Sequence, residues 1–471
     1  MNNPALDKQN RIAQYLERLN ENASLQYLFL AAITLLAAAL RIYKISEWGF
    51  WIDEIYTIER ATGDLGSLLI PLSTRLVSIP LGTLGMGEFS ARIVPALVGL
   101  ISIPIFFFPI RKITNGTTAL LATLLLALSP WHLYWSQNAR FYSALMLFYG
   151  LAGLCLFIWL EGNSIWYMLL SMGFIGFAML ERGTTLFIFP VFIFYIIALY
   201  ILPIEKPPGL TWRNLAIFFI PIFLLGLLVV FSTGNLFSFF SKIIGHQHNP
   251  IRVFLSVIYD VGLPLFLLAI FGGVYSIFQK NRLGLFLIIG TLVPLLILVV
   301  IAPFTQAFSR YVFQTLIFWI ILGAMAIQAL IDNVSGYGKF LALGIALLLV
   351  ADAFSQDILY YSYQNGNRED FKGAYQVIAD NKMPDDVIVA GWPEIGRYYL
   401  DEPVQNASEV KRGEIANSEN RVWFVVDNRS GFPSKLQEWI EKNTQLIGVR
   451  DVYIPGKLLM MRVYLYESGQ P

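Results

Sequence analysis

The sequence predicts a mainly α-helical, polytopic membrane protein with a small α/β domain toward its C-terminal end. Three observations carry that prediction. Hydrophobic residues make up 56% of the chain and charged residues 14%, whereas a soluble domain carries about 25% charged residues. The apolar residues gather into about eleven runs, each near the roughly 20 residues a helix needs to cross a bilayer. From about Gln356 onward charge density rises and helix-like and strand-like segments alternate, the pattern of a small α/β unit. The net charge of +1 gives no sign of a nucleic-acid surface. The single cysteine, Cys155, lies inside an apolar run, where a thiol behaves as a small hydrophobe.

The first stretch is polar. Ile12, Tyr15, Leu16 and Leu19 recur at spacings of three and four, one face of an amphipathic helix lying on the membrane surface. No cleavable signal peptide is evident, because the first apolar run is long enough to span. The runs then fall at about 25–43, 90–110, 117–136, 140–160, 164–181, 184–203, 214–233, 253–278, 283–303, 310–331 and 338–356. The expected division is an amphipathic leader over 1–23, a membrane domain over 24–356 with its first outer loop at 45–89, and a soluble domain over 357–471.

Orientation follows the bias of Lys and Arg toward the cytoplasmic side. With the N-terminus inside, paired cations such as Arg111-Lys112 and Lys280-Asn281-Arg282 fall in inner turns. Single arginines, among them Arg140, Arg182 and Arg310, fall outside and call for a bound anion or an acidic partner. This places the first loop and the C-terminal domain on the extracytoplasmic side of a plasma or inner membrane. The loop's middle, Leu65 to Leu84, is broken by Pro71 and Pro80 and suits short interfacial helices better than a span. In the C-terminal domain the spacing of Phe371, Ala374, Tyr375 and Ile378 predicts a helix. Strands are expected at Val387 to Ala390, Val422 to Val426 and Leu458 to Tyr466, with a helix around Lys435 to Lys442.

Five places bear groups that could do chemistry. Asp53 and Glu54 sit between Trp51 and Tyr56 where the first span meets water. Exposed acids are common, and Trp and Tyr suit the headgroup zone, so a solvated edge competes with an acid–base site framed by sugar-stacking rings. The run Ser129 to Ser143 places many hydrogen-bonding groups between two spans, which suits a wet cavity. In it Arg140 offers a planar fork of donors to a phosphate, or else snorkels to headgroups. Glu181-Arg182 reads as a locally neutralised structural pair. His246 and His248 read as a solvated loop rather than a metal site, and no metal ligand set is assigned. Finally, Arg310 opens a span where the helix dipole disfavours a cation, followed by Tyr311.

The order of these parts resembles the C-type superfamily of integral-membrane glycosyltransferases, nearest the branch of protein O-mannosyltransferases and bacterial aminoarabinose transferases. The resemblance rests on Trp51-x-Asp53-Glu54-x-Tyr56, Ser136-Gln137-x-Ala139-Arg140-x-Tyr142, Arg310-Tyr311 and the segment Phe89-Ser90-Ala91-Arg92-Ile93-Val94-Pro95-Ala96-Leu97. It implies transfer of a sugar from a polyprenyl-phosphate donor to an acceptor hydroxyl on the outer face, with inversion. By that resemblance Asp53 is the base, Glu54 its companion, and Arg140 and Arg310 face the donor phosphate. Trp51, Tyr56, Tyr142 and Tyr311 complete the expected substrate-binding set. Relatives often carry Glu where this chain has Asn138, and His-Pro-Pro where it has Ile70-Pro71-Leu72. A cofactor is not expected, although a divalent cation is compatible with the site. The acceptor stays open among lipid, protein and polysaccharide. The competing reading is a transporter or lipid flippase, against which stand the missing internal repeat and the placement of charges at span ends rather than mid-membrane.

Overall fold

A computed structural model describes residues 18–67, 70–233, 247–334, 337–416 and 420–467. Most of the leader helix expected before Leu19, and His246 of the His-x-His loop, lie outside them. The bundle comprises α1 (Ala23–Ile42), α2 (Ile52–Thr62), α3 (Leu72–Leu84), α4 (Glu88–Ile113), α5 (Gly116–Leu128), α6 (Pro130–Ser136), α7 (Tyr142–Gly162) and α8 (Ile165–Glu181). It continues with α9 (Ile188–Ile201), α10 (Trp212–Thr233), α11 (Pro250–Val261), α12 (Leu263–Phe278), α13 (Arg282–Ile301), α14 (Leu316–Asn333) and α15 (Tyr337–Ser362). Asparagines start several of them. Asn22 accepts from Leu25 N–H, Asn115 from Thr118 N–H and Asn281 from Leu283 N–H, at 3.0, 2.8 and 2.9 Å. Each side chain satisfies one of the orphan donors of a helix's first turn.

This is a multi-pass membrane protein. Among the described residues seven helices are long and apolar enough to cross a membrane, or nine if each of two bent pairs is one span. All eleven expected runs fall on helices, but that measure does not reach eleven. Ile165–Glu181 is short at 17 residues, and Trp212–Thr233 is not among the helices that qualify. Two runs read as straight spans are broken. Helices α5 and α6 meet at 58°, because Pro130 has no N–H to continue the ladder and Ser129 begins a new helix by accepting from His132 N–H at 3.4 Å. Helices α11 and α12 meet at 95° around Gly262, whose φ of +90° suits glycine, with Pro264 just behind.

The first loop folds into α2 and α3. Helix α3 follows Pro71, which offers no side-chain cap. The cap comes from the end of α8 instead: Ser73 N–H lies 3.1 and 3.3 Å from the two Glu181 carboxylate oxygens, and Ser73 Oγ–H donates to one of them at 2.6 Å. The expected Glu181–Arg182 pair is therefore corrected. Glu181 is a helix cap supplied across the bundle, and Arg182 turns elsewhere. Replacing Glu181 with alanine should cost about 1–2 kcal/mol, the upper range for lost caps, read as a lower midpoint in detergent-monitored unfolding.

Beyond α15 the chain forms a mixed five-stranded sheet in the order β2-β1-β3-β7-β4. Its strands are β1 (Val387–Ala390), β2 (Gln405–Asn406), β3 (Val422–Asp427), β4 (Gln445–Val449) and β7 (Met461–Tyr466), while β5 (Val452–Ile454) and β6 (Lys457–Leu459) pair as a separate hairpin. Strand β1 runs parallel to β2 and β3; β7 runs antiparallel to β3 and β4. Helices α16 (Phe371–Asn381), α17 (Pro393–Leu400), α18 (Arg412–Ala416) and α19 (Ser434–Asn443) flank it. The strand expected over Leu458 to Tyr466 is thus two strands broken at Met460, and β2, β4, β5, α17 and α18 are additions.

The domain is docked onto the bundle through polar and aromatic contacts. Helix α15 runs on past residue 356 to Ser362, and Tyr360 and Tyr361 pack on Trp48 with ring centroids 5.1 and 5.6 Å away. Buried Gln137 joins both parts. Its amide donates to the carbonyls of Leu40, Arg41 and Tyr43, while its Oε1 accepts from Tyr360 and its main-chain carbonyl from Arg368. On the other side Phe50 N–H donates to the Tyr399 hydroxyl at 2.6 Å, and Lys372 pairs with Glu88 at 3.0 Å.

Candidate active site

The site begins with a buried ion pair. Glu54 and Arg92, both fully buried, meet in a bidentate pair with two N–H···O bonds of 2.8 Å. The remaining Arg92 donors reach the carbonyls of Ile45, Trp48 and Gly49 at 3.1, 2.8 and 2.9 Å. Glu54 also accepts from Ala139 N–H at 2.8 Å. Planar guanidinium geometry suits this multiple docking. One pair therefore ties the aromatic loop before α2, the start of α4 and the turn after α6 into a single unit. Burial by itself would raise the Glu54 pKa, but Arg92, with Arg368 and the hydrogen bonds, outweighs it and holds the carboxyl below its ordinary value.

Asp53 and Glu54 share the first turn of α2, where acids complement the helix dipole, yet they face different surroundings. The Asp53 carboxylate is partly exposed and stands between two guanidinium groups, 3.8 Å from Arg140 and 3.7 Å from Arg310. These are ion-pair distances looser than hydrogen bonds. Arg140 is anchored from below: its Nη1 donates to the Asp53 main-chain carbonyl at 2.8 Å and to Thr57 Oγ1 at 2.9 Å. The Nε atoms of both Arg140 and Arg310 are buried without a hydrogen-bond partner. Buried donors of this kind are rare in folded proteins.

A third arginine closes the group. Arg182 lies over the ring of Tyr311 at 4.7 Å and over Phe141 and Tyr142 at 5.1 and 6.0 Å. Arg310 lies over Phe308, Trp51 and Tyr311 at 4.4, 5.7 and 5.9 Å. Cation–π contact fixes a guanidinium without consuming its in-plane donors. Glu54 is balanced by Arg92, so Asp53 is left to pair with Arg140 and Arg310, and Arg182 adds a third guanidinium beside them through the Tyr311 ring. Among the described residues no cluster of three or more His, Cys, Asp or Glu is placed to hold a metal ion.

Trp51 lies at the mouth, its indole N–H donating to Asn138 Oδ1 at 2.7 Å. Asn138 thus orients an aromatic wall at the position where relatives often carry Glu. Trp51 and Arg310 also border a cavity of about 580 Å³ that extends past Trp131, Trp135 and Asp260 to Arg429 and Lys457 of the α/β domain. A larger cavity of about 950 Å³, bordered by Lys112, Glu161 and Arg282, lies at the opposite end of α4 from Arg92.

The structure brings Trp51, Asp53, Arg140, Tyr142, Arg310 and Tyr311 together. Tyr142 is buried beneath Trp135, with ring centroids 4.0 Å apart. Glu54 lies behind the site rather than in it. Tyr56 turns to the α/β domain, where it borders a separate crevice with Trp392 and Glu394. Its hydroxyl is pushed up by burial and then by Glu394, Glu59 and Asp53. Sequence reasoning counted Arg182 among the outer arginines but assigned it to its acidic neighbour, and it missed Thr57, one turn after Asp53. It placed Arg92 in a motif without a role.

A helical membrane bundle with its motif-bearing first loop under a small α/β domain is the fold of the C-type integral-membrane glycosyltransferases. ArnT from Cupriavidus metallidurans in the apo state shares it at 14% identity over 94% of this chain and 99% of that one, with a TM-score of 0.56. The same protein bound to undecaprenyl phosphate matches at 13% identity over 96% and 100% of the two chains, with a TM-score of 0.58. The Archaeoglobus fulgidus oligosaccharyltransferase in its apo form matches at 12% identity over 86% of this chain and 70% of that one, with a TM-score of 0.58. Residues 66–232 match the family described as dolichyl-phosphate-mannose-protein mannosyltransferase. No curated protein sequence matches the chain.

Proposed function

We propose that the protein transfers a sugar from a polyprenyl-phosphate donor to an acceptor hydroxyl at the extracytoplasmic face, inverting the anomeric centre. The observation that carries this reading is the Asp53 carboxylate held between Arg140 and Arg310, each with a buried Nε–H that has no protein partner. Glycosyl transfer passes through an oxocarbenium-like state, and inversion needs a base on the face opposite the leaving group. Asp53 takes the proton of the acceptor hydroxyl as the oxygen attacks. The departing lipid phosphate is already charged, so it needs cations more than an acid. Arg140 and Arg310 supply them, with Arg182 behind, a role that divalent cations play in carboxylate-rich sites. The paired cations Arg111-Lys112 and Lys280-Arg282 at the other end of the bundle support an outward-facing site. Glu54 is a positioning residue, and Tyr142 and Tyr311 brace the arginines.

Native mass spectrometry of the purified protein tests the donor: a co-purifying polyprenyl-phosphate sugar is expected, and retention of bulk phospholipid alone, with no binding of added polyprenyl phosphate, would overturn the reading. Arg310→Ala should lower kcat by about 10²- to 10³-fold, the scale of losing one preorganised donor to developing charge. Single-turnover kinetics at saturating donor separates this loss from weaker binding.

A further inference from the structure

The α/β domain holds a second concavity, a crevice of about 250 Å³ closed on one side by Tyr56 of α2. It lies at the carboxyl ends of the three parallel strands. Strand β1 leads into Trp392, β2 into Ala407 and Ser408, and β3 into the turn at Ser430. From β1 the chain passes through α17 to β2 on one side of it, then crosses to β3 on the other. The gap between β1 and β3 is therefore the topological switch point of the parallel strands, the place where open α/β sheets bind ligands. At its floor only glycine fits, since a Cβ on Gly391 would fall 1.8 Å from Ser430 Oγ.

The lining states the ligand's chemistry. Among the described residues no Lys or Arg borders the crevice. The first turn of α17 already carries Glu394, whose charge complements the helix dipole and disfavours a second anion there. Beside it stand the rings of Trp392, Tyr56 and Phe432 and the short polar side chains of Asn406, Ser408 and Ser430, the Ser408 hydroxyl donating to Asn406 Oδ1. Aromatic faces beside amides and hydroxyls suit the C–H face and hydroxyl edge of an uncharged sugar. The volume lies below the range of about 300–1,000 Å³ usual for drug-sized ligands and fits a single ring. Tyr56 follows Asp53 by three residues on α2, about one helical turn.

We propose that this crevice binds a neutral sugar unit of the acceptor, beside the carboxylate that activates the acceptor hydroxyl. The proposal rests on the sugar-transfer reading and names its acceptor class. It is tested by binding without turnover, on the full chain carrying Asp53→Asn in lipid nanodiscs. The probes are neutral methyl mannosides, galactosides and N-acetylglucosaminides, with sialylated and phosphorylated sugars for comparison. Saturation-transfer NMR should show at least one neutral glycoside bound. Ser408→Trp, which fills the crevice from an exposed position, and Asn406→Ala should each weaken it by about tenfold or more. If Ser408→Trp lowers the unfolding midpoint, Asn406→Ala decides. Absence of any neutral ligand, equal affinity in the deciding variant, or preference for the anionic sugars overturns the proposal. Binding is read with neither donor nor transfer, so failure here is separate from failure of the donor test.

Discussion

Replacing Asp53 with asparagine is expected to reduce sugar transfer by about 10²- to 10⁴-fold, the contribution of a positioned general base. The substitution keeps size and shape, so folding should hold. It also has a signed effect on binding. The carboxylate lies 3.8 and 3.7 Å from Arg140 and Arg310, where its charge opposes an incoming phosphate. Removing that charge leaves both guanidinium groups freer to hold an anion. Polyprenyl phosphate should therefore bind Asp53→Asn as tightly as the unaltered protein, or tighter, while kcat collapses. Retained turnover would remove Asp53 from the mechanism. Lost lipid binding at an unchanged unfolding midpoint would make it a donor ligand instead.

The largest stability effect is expected at the pair behind it. Arg92→Ala leaves the Glu54 carboxylate buried with Ala139 N–H as its one remaining hydrogen-bond donor and strips three main-chain carbonyls of their partner. Removing one member of a buried pair costs about 3–5 kcal/mol, enough to unfold a marginal protein. The double variant Arg92→Met with Glu54→Leu should be less damaged than Arg92→Ala, because no charge is stranded. Equal damage would mean that the main-chain contacts, not the charge, carry the effect. The pH dependence has a defined sign. Glu54 titrates below its ordinary value of 4.5 in the folded protein, so its contribution is fully present above that value and is lost as pH falls through the folded pKa. The Arg92→Ala variant should lose this acid limb. Denaturant titrations at neutral and acid pH read both effects.

The two acids show how local reading reaches its limit. Adjacent positions on a helix point about 100° apart, so Asp53 and Glu54 are neighbours in the chain and strangers in environment. One meets solvent and two arginines; the other meets Arg92, 38 residues away. Spacing marked both as a pair, but nothing in spacing says which of them Arg92 neutralises. Arg182 was hidden for a similar reason. Its neighbour Glu181 looks like its counter-ion until the fold sends Glu181 to cap α3, 108 residues distant.

By itself the sequence determined the membrane class, the positions of the helices and the presence of the α/β domain. Those follow from local burial: runs of apolar side chains must leave water, and asparagine caps and proline breaks act within a few residues. The resemblance of its motifs to a known family also marked Asp53, Arg140 and Arg310. The tertiary structure alone decided that these three meet, that Glu54 is a buttress, that Tyr56 turns to a second crevice and that Arg182 joins the group. Each of those outcomes depends on where distant segments come to rest. Coulombic and hydrogen-bond partners are chosen by proximity in space, and chain order does not carry that information.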